Sequence, residues 1–336
     1  MRAANRQPEA DETGRRRDAA RRARRLAEAR ADSMPVVEAI DGPRAVRVVE
    51  GPLEDPAPRG GIIEVLQQNY LLRLIVRREL AQMYAASALG LIWSYVQPAM
   101  RFFVYYFVMA VILHAHRSTP HFAVHLLTGL VFVHYFTETW SGGTRSIWSN
   151  RVLVLKMRMA REIFPVASMA VALYHTFPQI ILLTVVCLLT GWHFSWTGAA
   201  AGVLGFLILA AFGMAMALYF SAINVFFRDF QNIVQTVTTF IHFLVPMMYP
   251  YTDVAREAGA HPVLYQIYMA NPLTVAVLLM ERFFWFGTIH REHKYANQFP
   301  PDLFERGIIT VLISCVLLYG AQRYFARVEN KFPERL

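Results

Sequence analysis

Between Leu89 and Tyr324 the sequence carries six long apolar stretches, and a chain built this way has to fold within a membrane. About 20 apolar residues wound as a helix cross the hydrocarbon core, and the helix satisfies its own backbone groups where no water can. The stretches are 94–113, 121–140, 163–190, 199–223, 230–251 and 307–322. The third, fourth and fifth contain no Asp, Glu, Lys or Arg. The sixth is short for a full crossing, but Arg306 and Arg323 flank it and have stems long enough to reach the two surfaces.

Basic residues gather in cytoplasmic loops and so orient the chain. Arg73, Arg77 and Arg78 precede the first stretch; Arg145, Arg151, Lys156, Arg158 and Arg161 follow the second. Arg228 follows the fourth, and Arg323, Arg327, Lys331 and Arg335 follow the sixth. The opposite side holds Arg117 in one short connection and no basic residue at 191–198. Six spans with both termini in the cytoplasm satisfy this pattern. Residues 252–306 then lie outside, with five basic and six acidic residues and no inward bias.

The chain is 55% hydrophobic yet carries a formal charge of +9. Cytoplasmic flanks facing anionic lipid account for that charge, so nucleic acid is not expected as a partner. Cys187 and Cys315 both fall inside spans, where they pack as small apolar residues and offer no disulfide framework. The first 33 residues are charged and Ala-rich without an apolar core, so no cleavable signal is expected.

Two regions are expected. Residues 1–60 read as a disordered, basic cytoplasmic tail and linker, with the alternative of a transient helix on anionic lipid around Arg15–Arg25. Residues 61–336 read as the membrane domain. From Ile62 the apolar residues are interrupted by Glu64, Gln67, Gln68, Asn69 and Arg73, a pattern suited to a helix lying in the interface. The helix can continue through residues 77–88. Pro98 either kinks the first span or marks its start. Gly142–Gly143 opens a basic loop with room for a short helix. In the outer segment, residues 262–269 and 271–286 are apolar enough to dip back into the bilayer.

The chain has no G-x-x-x-x-G-K-[ST], no G-x-G-x-x-G, no H-E-x-x-H and no Cys/His zinc spacing. Glu138 is the clearest acid within a span, too little alone for a carboxylate proton relay. Asp253, Glu257 and His261 suit a solvated loop better than a catalytic cluster. His121 and His125 stand one helical turn apart, beside His114 and His116; interfacial histidines and a zinc pair are the two readings. Arg101, within the first span, either snorkels to lipid phosphate or serves function. Phe102, Tyr105, Tyr106, Tyr135, Phe136 and Trp140 present aromatic faces with polar tips that can stack on sugar rings in a pore or serve as ordinary packing.

Four segments, in order, resemble the permeases of polysaccharide-exporting ABC type-2 transporters. Residues 77–98, RRELAQMYAASALGLIWSYVQP, are similar to that family's R-[DE]-…-Y-…-S-x-L-G-x-x-W-…-P approach to the first span. Asn224-Val-Phe-Phe-Arg228-Asp229 is similar to its N-x-x-x-R-D, Pro246-Met-Met-Tyr-Pro250 to its P-x-x-Y-P, and Asn271-Pro272 to its N-P. The resemblance covers residues 62–336. It implies an all-α polytopic fold of six transmembrane helices, with an N-terminal amphipathic interface helix and a re-entrant outer segment before the last span. It also implies a homodimer with two ATPase subunits, which bind ATP and Mg so that this chain needs no cofactor. The cargo it implies is a polyprenyl-linked glycan, moved outward across the plasma membrane of a bacterium.

On this reading Arg77, Arg78, Tyr84 and Arg101 form the cytoplasmic mouth and meet the pyrophosphate, since Arg forks suit paired charge-assisted bonds. Where the family often carries further basic residues around the Tyr, this chain has Met83, Ala85 and Ala86. Trp93 joins Phe102, Tyr105, Tyr106, Tyr135 and Phe136 along the channel, and Arg151, Lys156 and Arg158 contact the ATPase. The alternatives are a small-molecule exporter of the same superfamily and a membrane enzyme using polyprenyl-phosphate sugars.

Overall fold

The computed structural model describes residues 61–85, 90–115, 119–157, 159–257, 261–289 and 298–336. The chain divides into Met1–Glu54 and Asp55–Leu336, and every described residue belongs to the second unit. The expected tail and linker, Arg158 and His116 lie outside the described residues. No strand occurs among the described residues; the protein is all-helical there.

The chain opens with α1 (Gly61–Gln67) and α2 (Asn69–Tyr84). The break falls at Gln68, whose Nε2 donates to Glu64 Oε1 at 3.1 Å, a local side-chain bond of the kind that competes with helix continuation. Arg73, Arg77, Arg78 and Tyr84 therefore share one helix, which continues past Arg77 as far as Tyr84. After a 3₁₀ turn at Gly90–Ile92, α3 (Trp93–Tyr106) begins, so Pro98 lies inside the helix and does not mark its start. The helix widens at its far end, where Leu113 N–H donates five residues back to Val108 O at 3.0 Å.

The next helix, α4 (Phe122–Ser149), runs 28 residues, about 42 Å at 1.5 Å per residue. It passes straight through Gly142–Gly143, which the sequence reading places in a loop. Gly143 serves close packing instead: a Cβ there would stand 2.4 Å from the Ala217 Cβ of a neighbouring helix. The loop begins at Asn150 and holds the short α5 (Arg151–Lys156). Then come α6 (Ile163–Leu189), α7 (Trp196–Phe226) and α8 (Asp229–Leu244). The last ends before Pro246, earlier than the apolar stretch suggests, because two prolines at 246 and 250 withhold backbone donors. The outer segment forms α9 (Tyr251–Glu257), α10 (Pro262–Met269) and α11 (Pro272–Phe283), and the chain closes with α12 (Leu303–Val328) and α13 (Phe332–Arg335).

Central in the packing is α7, which lies against α4, α11 and α12; α4 also contacts α6 and α8. One apolar core joins Phe132, Phe136, Leu209, Leu278 and Trp285 on α4, α7 and the outer segment. A second joins Ile147, Phe164, Leu218, Phe325 and Phe332 where α4 ends and α6 begins.

Among the described residues four helical stretches are long and apolar enough to cross a membrane: Tyr95–Ile112, Ile163–Leu189, Trp196–Phe226 and Leu303–Arg335. The bent pair α10–α11, turned by 75°, makes a fifth if taken as one broken span. Six crossings are expected from sequence; α4 carries a polar stripe that makes it less apolar than these, and α8 is only 16 residues long. The last helix is not short: α12 runs 26 residues, with the apolar run at its middle and charged residues in its end turns.

Candidate functional site

Four polar residues of α4, His134, Thr137, Glu138 and Ser141, fall within two turns and face one cavity of about 450 Å³. Across it stand Arg101 and Tyr105 from α3 and Gln235, Thr238, Thr239 and His242 from α8. Arg101 has no hydrogen-bond or ion-pair partner among the described residues. It lies eight residues beyond Trp93, about 12 Å along the helix.

Glu138 is the hub. Its Oε1 lies 2.6 Å from His175 Nδ1 of α6, and its Oε2 lies 3.3 Å from His134 Nε2. On its other side the His175 ring meets Tyr84: Tyr84 Oη is 3.0 Å from His175 Nε2. The set is satisfied when Tyr84 donates its O–H to Nε2 and His175 donates Nδ1–H to the carboxylate, a tautomer assigned from the network. Four side chains from three helices thus form one polar line through an apolar bundle. Such groups are retained inside a membrane only where they meet each other or water.

Two further cavities meet the first at Glu138. One, of about 270 Å³, brings Tyr84, Trp93, Pro98 and Arg101 together. The other, of about 300 Å³, runs past Gly142 to Glu79, Arg145 and Asn150 at the end of α4. Asn150 fastens α2 there. Arg78 Nη1 donates to its Oδ1 at 3.1 Å, and its Nδ2 donates to Glu79 Oε1 at 3.1 Å. Burial pushes the Glu79 carboxyl above its ordinary range, against the opposing pull of the Asn150 hydrogen bond and the nearby Arg78.

The expected mouth residues therefore separate. Tyr84 and Arg101 share a cavity; Arg77 is exposed, and Arg78 is engaged with Asn150. Among the expected channel aromatics, Tyr105 lines the polar cavity and Trp93 the smaller one beside it. Phe102 and Tyr106 stack on each other with centroids 5.7 Å apart. Tyr135 and Phe136 do not line any channel. Each is 1% exposed, and they stack on Phe206 and Phe212 of α7 at 5.9 and 5.3 Å, because α4 turns that face into the core.

On α5, Arg151 and Lys156 are exposed alongside the exposed apolar Val152 and Leu155. Just after that loop Arg161 donates to the Glu329 carbonyl, and Glu162 Oε1 accepts from Gln322 Nε2 at 2.8 Å. Burial raises the Glu162 carboxyl above its usual range. Arg228 lays its guanidinium over Trp148 at 3.6 Å. Asp229 opens α8, where a negative charge suits the helix dipole, and buried Asn224 accepts from Gln231 N–H at 3.0 Å. Asn271 caps α11 by accepting from Leu273 N–H at 3.0 Å, with Pro272 in the first turn. The N-x-x-x-R-D and N-P motifs are thus helix starts.

At the outer end His125 Nε2 lies 3.3 Å from Glu281 Oε1, both within 1% of full burial, and the His125 ring meets Trp285 edge-on at 4.8 Å. His121 is exposed, so the two histidines do not face a common ligand. No cluster among the described residues has a metal-binding set of side chains.

Sequence reasoning missed His134, His175, His242 and Asn150. A signal existed for His134, since it stands one helical turn before Glu138. His175 is a lone polar residue on an apolar helix, and only the fold brings it to Glu138 and Tyr84.

Helices of this length and apolarity, grouped around a polar cavity with an unpaired cation, define a multi-pass membrane transport protein. Residues 70–281 match the ABC-2 type transporter family, and the chain belongs to it. It is the membrane subunit of a transporter, and membership implies an ATPase partner. It is 27% identical to an O-antigen export system permease protein RfbA of Myxococcus xanthus over 81% of this chain and 98% of that protein. It is 24% identical to a protein of the same name from Klebsiella pneumoniae, over 77% of this chain and 94% of the relative.

Proposed function

We propose that this chain is the permease subunit of an exporter that moves a polyprenyl-pyrophosphate-linked polysaccharide from the cytoplasm across the bacterial plasma membrane. Two copies form the conduit, and two ATPase subunits drive it with ATP and Mg on their own sites. Six spans, with α8 as the fifth, an interface helix at α1–α2 and both termini in the cytoplasm complete the reading.

The observation that carries it is the polar cavity between α3 and α8. Both helices carry uncovered apolar faces. Met100, Phe103, Val104 and Phe107 are exposed on α3, and Ile233, Val237, Phe240 and Phe243 on α8. A second copy packed on those faces would bury them and close the cavity into a lined path. The lining suits a hydrated polymer: Thr137, Ser141, Gln235 and Thr238 offer donors and acceptors to sugar hydroxyls, Tyr105 an aromatic face, and Arg101 a fork for an anion. The relatives named as O-antigen export permeases support a glycan as cargo. Exposed Arg151, Val152, Leu155 and Lys156 form a mixed basic and apolar face for the ATPase.

The test is export by cells. Removal of the chain should leave lipid-linked glycan inside, and the unaltered chain should restore surface glycan. Arg101→Lys separates anion reading from lipid anchoring, because Lys keeps charge and reach but loses the planar fork. It should assemble and export poorly. Surface glycan unchanged by removal of the chain would end the proposal.

A further inference from the structure

A fourth cavity, of about 380 Å³, lies between α3, α4 and α6. Its walls are apolar: Tyr95 and Phe102 of α3, Leu127 and Leu130 of α4, Leu182 and Val186 of α6. Leu182 and Tyr95 are each about half exposed, so the groove opens on the face that meets lipid chains. Arg101 and His134 stand at its inner edge, and the same two residues line the polar cavity between α3 and α8. One cation thus separates an apolar groove from a polar chamber, with no carboxylate among the described residues that line the groove.

We infer that this groove holds the isoprenoid chain of the cargo's anchor, with its phosphates at Arg101 and its sugars in the polar cavity. The inference rests on reading the chain as an exporter of a lipid-linked glycan. A ligand seated here needs three parts in order: an apolar tail, an anionic joint and a hydroxyl-rich head. A polyprenyl pyrophosphate glycan has them in that order. A bilayer phospholipid does not fit as well, since its phosphate stays at the surface and Arg101 lies about 12 Å along α3. The pairing of guanidinium with phosphate in a low-dielectric setting supplies the charge complementarity.

The test uses the complete transporter, chain and ATPase together, in lipid nanodiscs. Two photoprobes are compared: a diazirine-bearing polyprenyl pyrophosphate and a diazirine-bearing phosphatidylglycerol, with labelled residues mapped by mass spectrometry. The polyprenyl probe should label the α3 and α6 walls at least tenfold more than the phospholipid probe, and Arg101→Gln should lower that labelling. Ala99→Trp, at the exposed mouth of the groove, should abolish labelling in a complex that still assembles. Equal labelling by both probes would make the groove an ordinary lipid seat and overturn the inference. So would a disulfide between two copies carrying Leu182→Cys, since a second copy would then cover the groove. The map on the unaltered protein decides the matter even if Ala99→Trp fails to assemble. Glycan export that persists while the groove goes unlabelled sinks this inference alone; absent export in the unaltered transporter sinks the proposed function.

Discussion

Tyr84, the last residue of α2, touches His175 in the middle of α6, with 3.0 Å between Oη and Nε2. The contact ties a surface helix to the polar line that ends at His134. Removing it should free α2 without unfolding the bundle. A neutral hydrogen bond contributes about 0.5–1.5 kcal/mol, so Tyr84→Phe should raise the labelling rate of a cysteine at Met83 by roughly two- to tenfold. The measurement uses Met83→Cys in a Cys315→Ser background, since Cys315 is the exposed native thiol and Cys187 is buried. An unchanged rate would mean that Asn150 and the packing around Ile75 hold α2 without Tyr84.

Glu79 makes stability depend on pH. Burial raises its folded carboxyl above the ordinary value of 4.5. A raised carboxyl favours folding below the ordinary value, and that contribution is lost as pH rises through the raised one. Glu79→Gln stays neutral and keeps an oxygen for Asn150. The variant should gain on the parent in thermal unfolding as pH rises above the ordinary value of 4.5 and through the raised one. A constant difference across that window would remove Glu79 as the source.

Asn224→Ala should destabilise by about 0.5–2 kcal/mol, because it takes the acceptor from the Gln231 N–H in the first turn of α8. Asn224→Asp keeps the oxygen and should recover most of the loss. Thermal midpoints of the three proteins in one detergent decide it.

The His125–Glu281 pair gives a non-additive expectation. Removing one partner leaves the other buried without its hydrogen-bonding contact, a loss of about 1–3 kcal/mol. Glu281→Leu and His125→Leu should each destabilise strongly, and the double variant less than the two together. Simple additivity would show that the 3.3 Å contact carries no coupling.

The sequence was most legible where chemistry is local. Asn271-Pro272 reads as a helix start because its hydrogen bond spans two residues. Arg101 declares itself because a cation in an apolar helix has few uses. Gly142–Gly143 misled because a glycine pair reads the same at a turn and at a close helix crossing; only Ala217, more than seventy residues on, tells them apart. Tyr135 and Phe136 misled for a related reason, since an aromatic on α4 faces the core or the cavity according to the rotation of the helix. His175 carries no local mark, and its role exists only through partners 37 and 91 residues away.

Arg161 and Glu162 fasten the end of the α5 loop to the closing residues of the chain, through the Glu329 carbonyl and the Gln322 amide. The Arg161 guanidinium also sits 5.9 Å from the centre of the Phe332 ring. The tail therefore acts as a brace. On the proposed docking of the ATPase at α5, a push there has little slack to take up and passes into α4, α6 and α12 as one stiff lever. Clipping the chain after Tyr324 would turn that lever into a loose joint, and on the same proposal the partner's stroke would be spent before it reached the cavity.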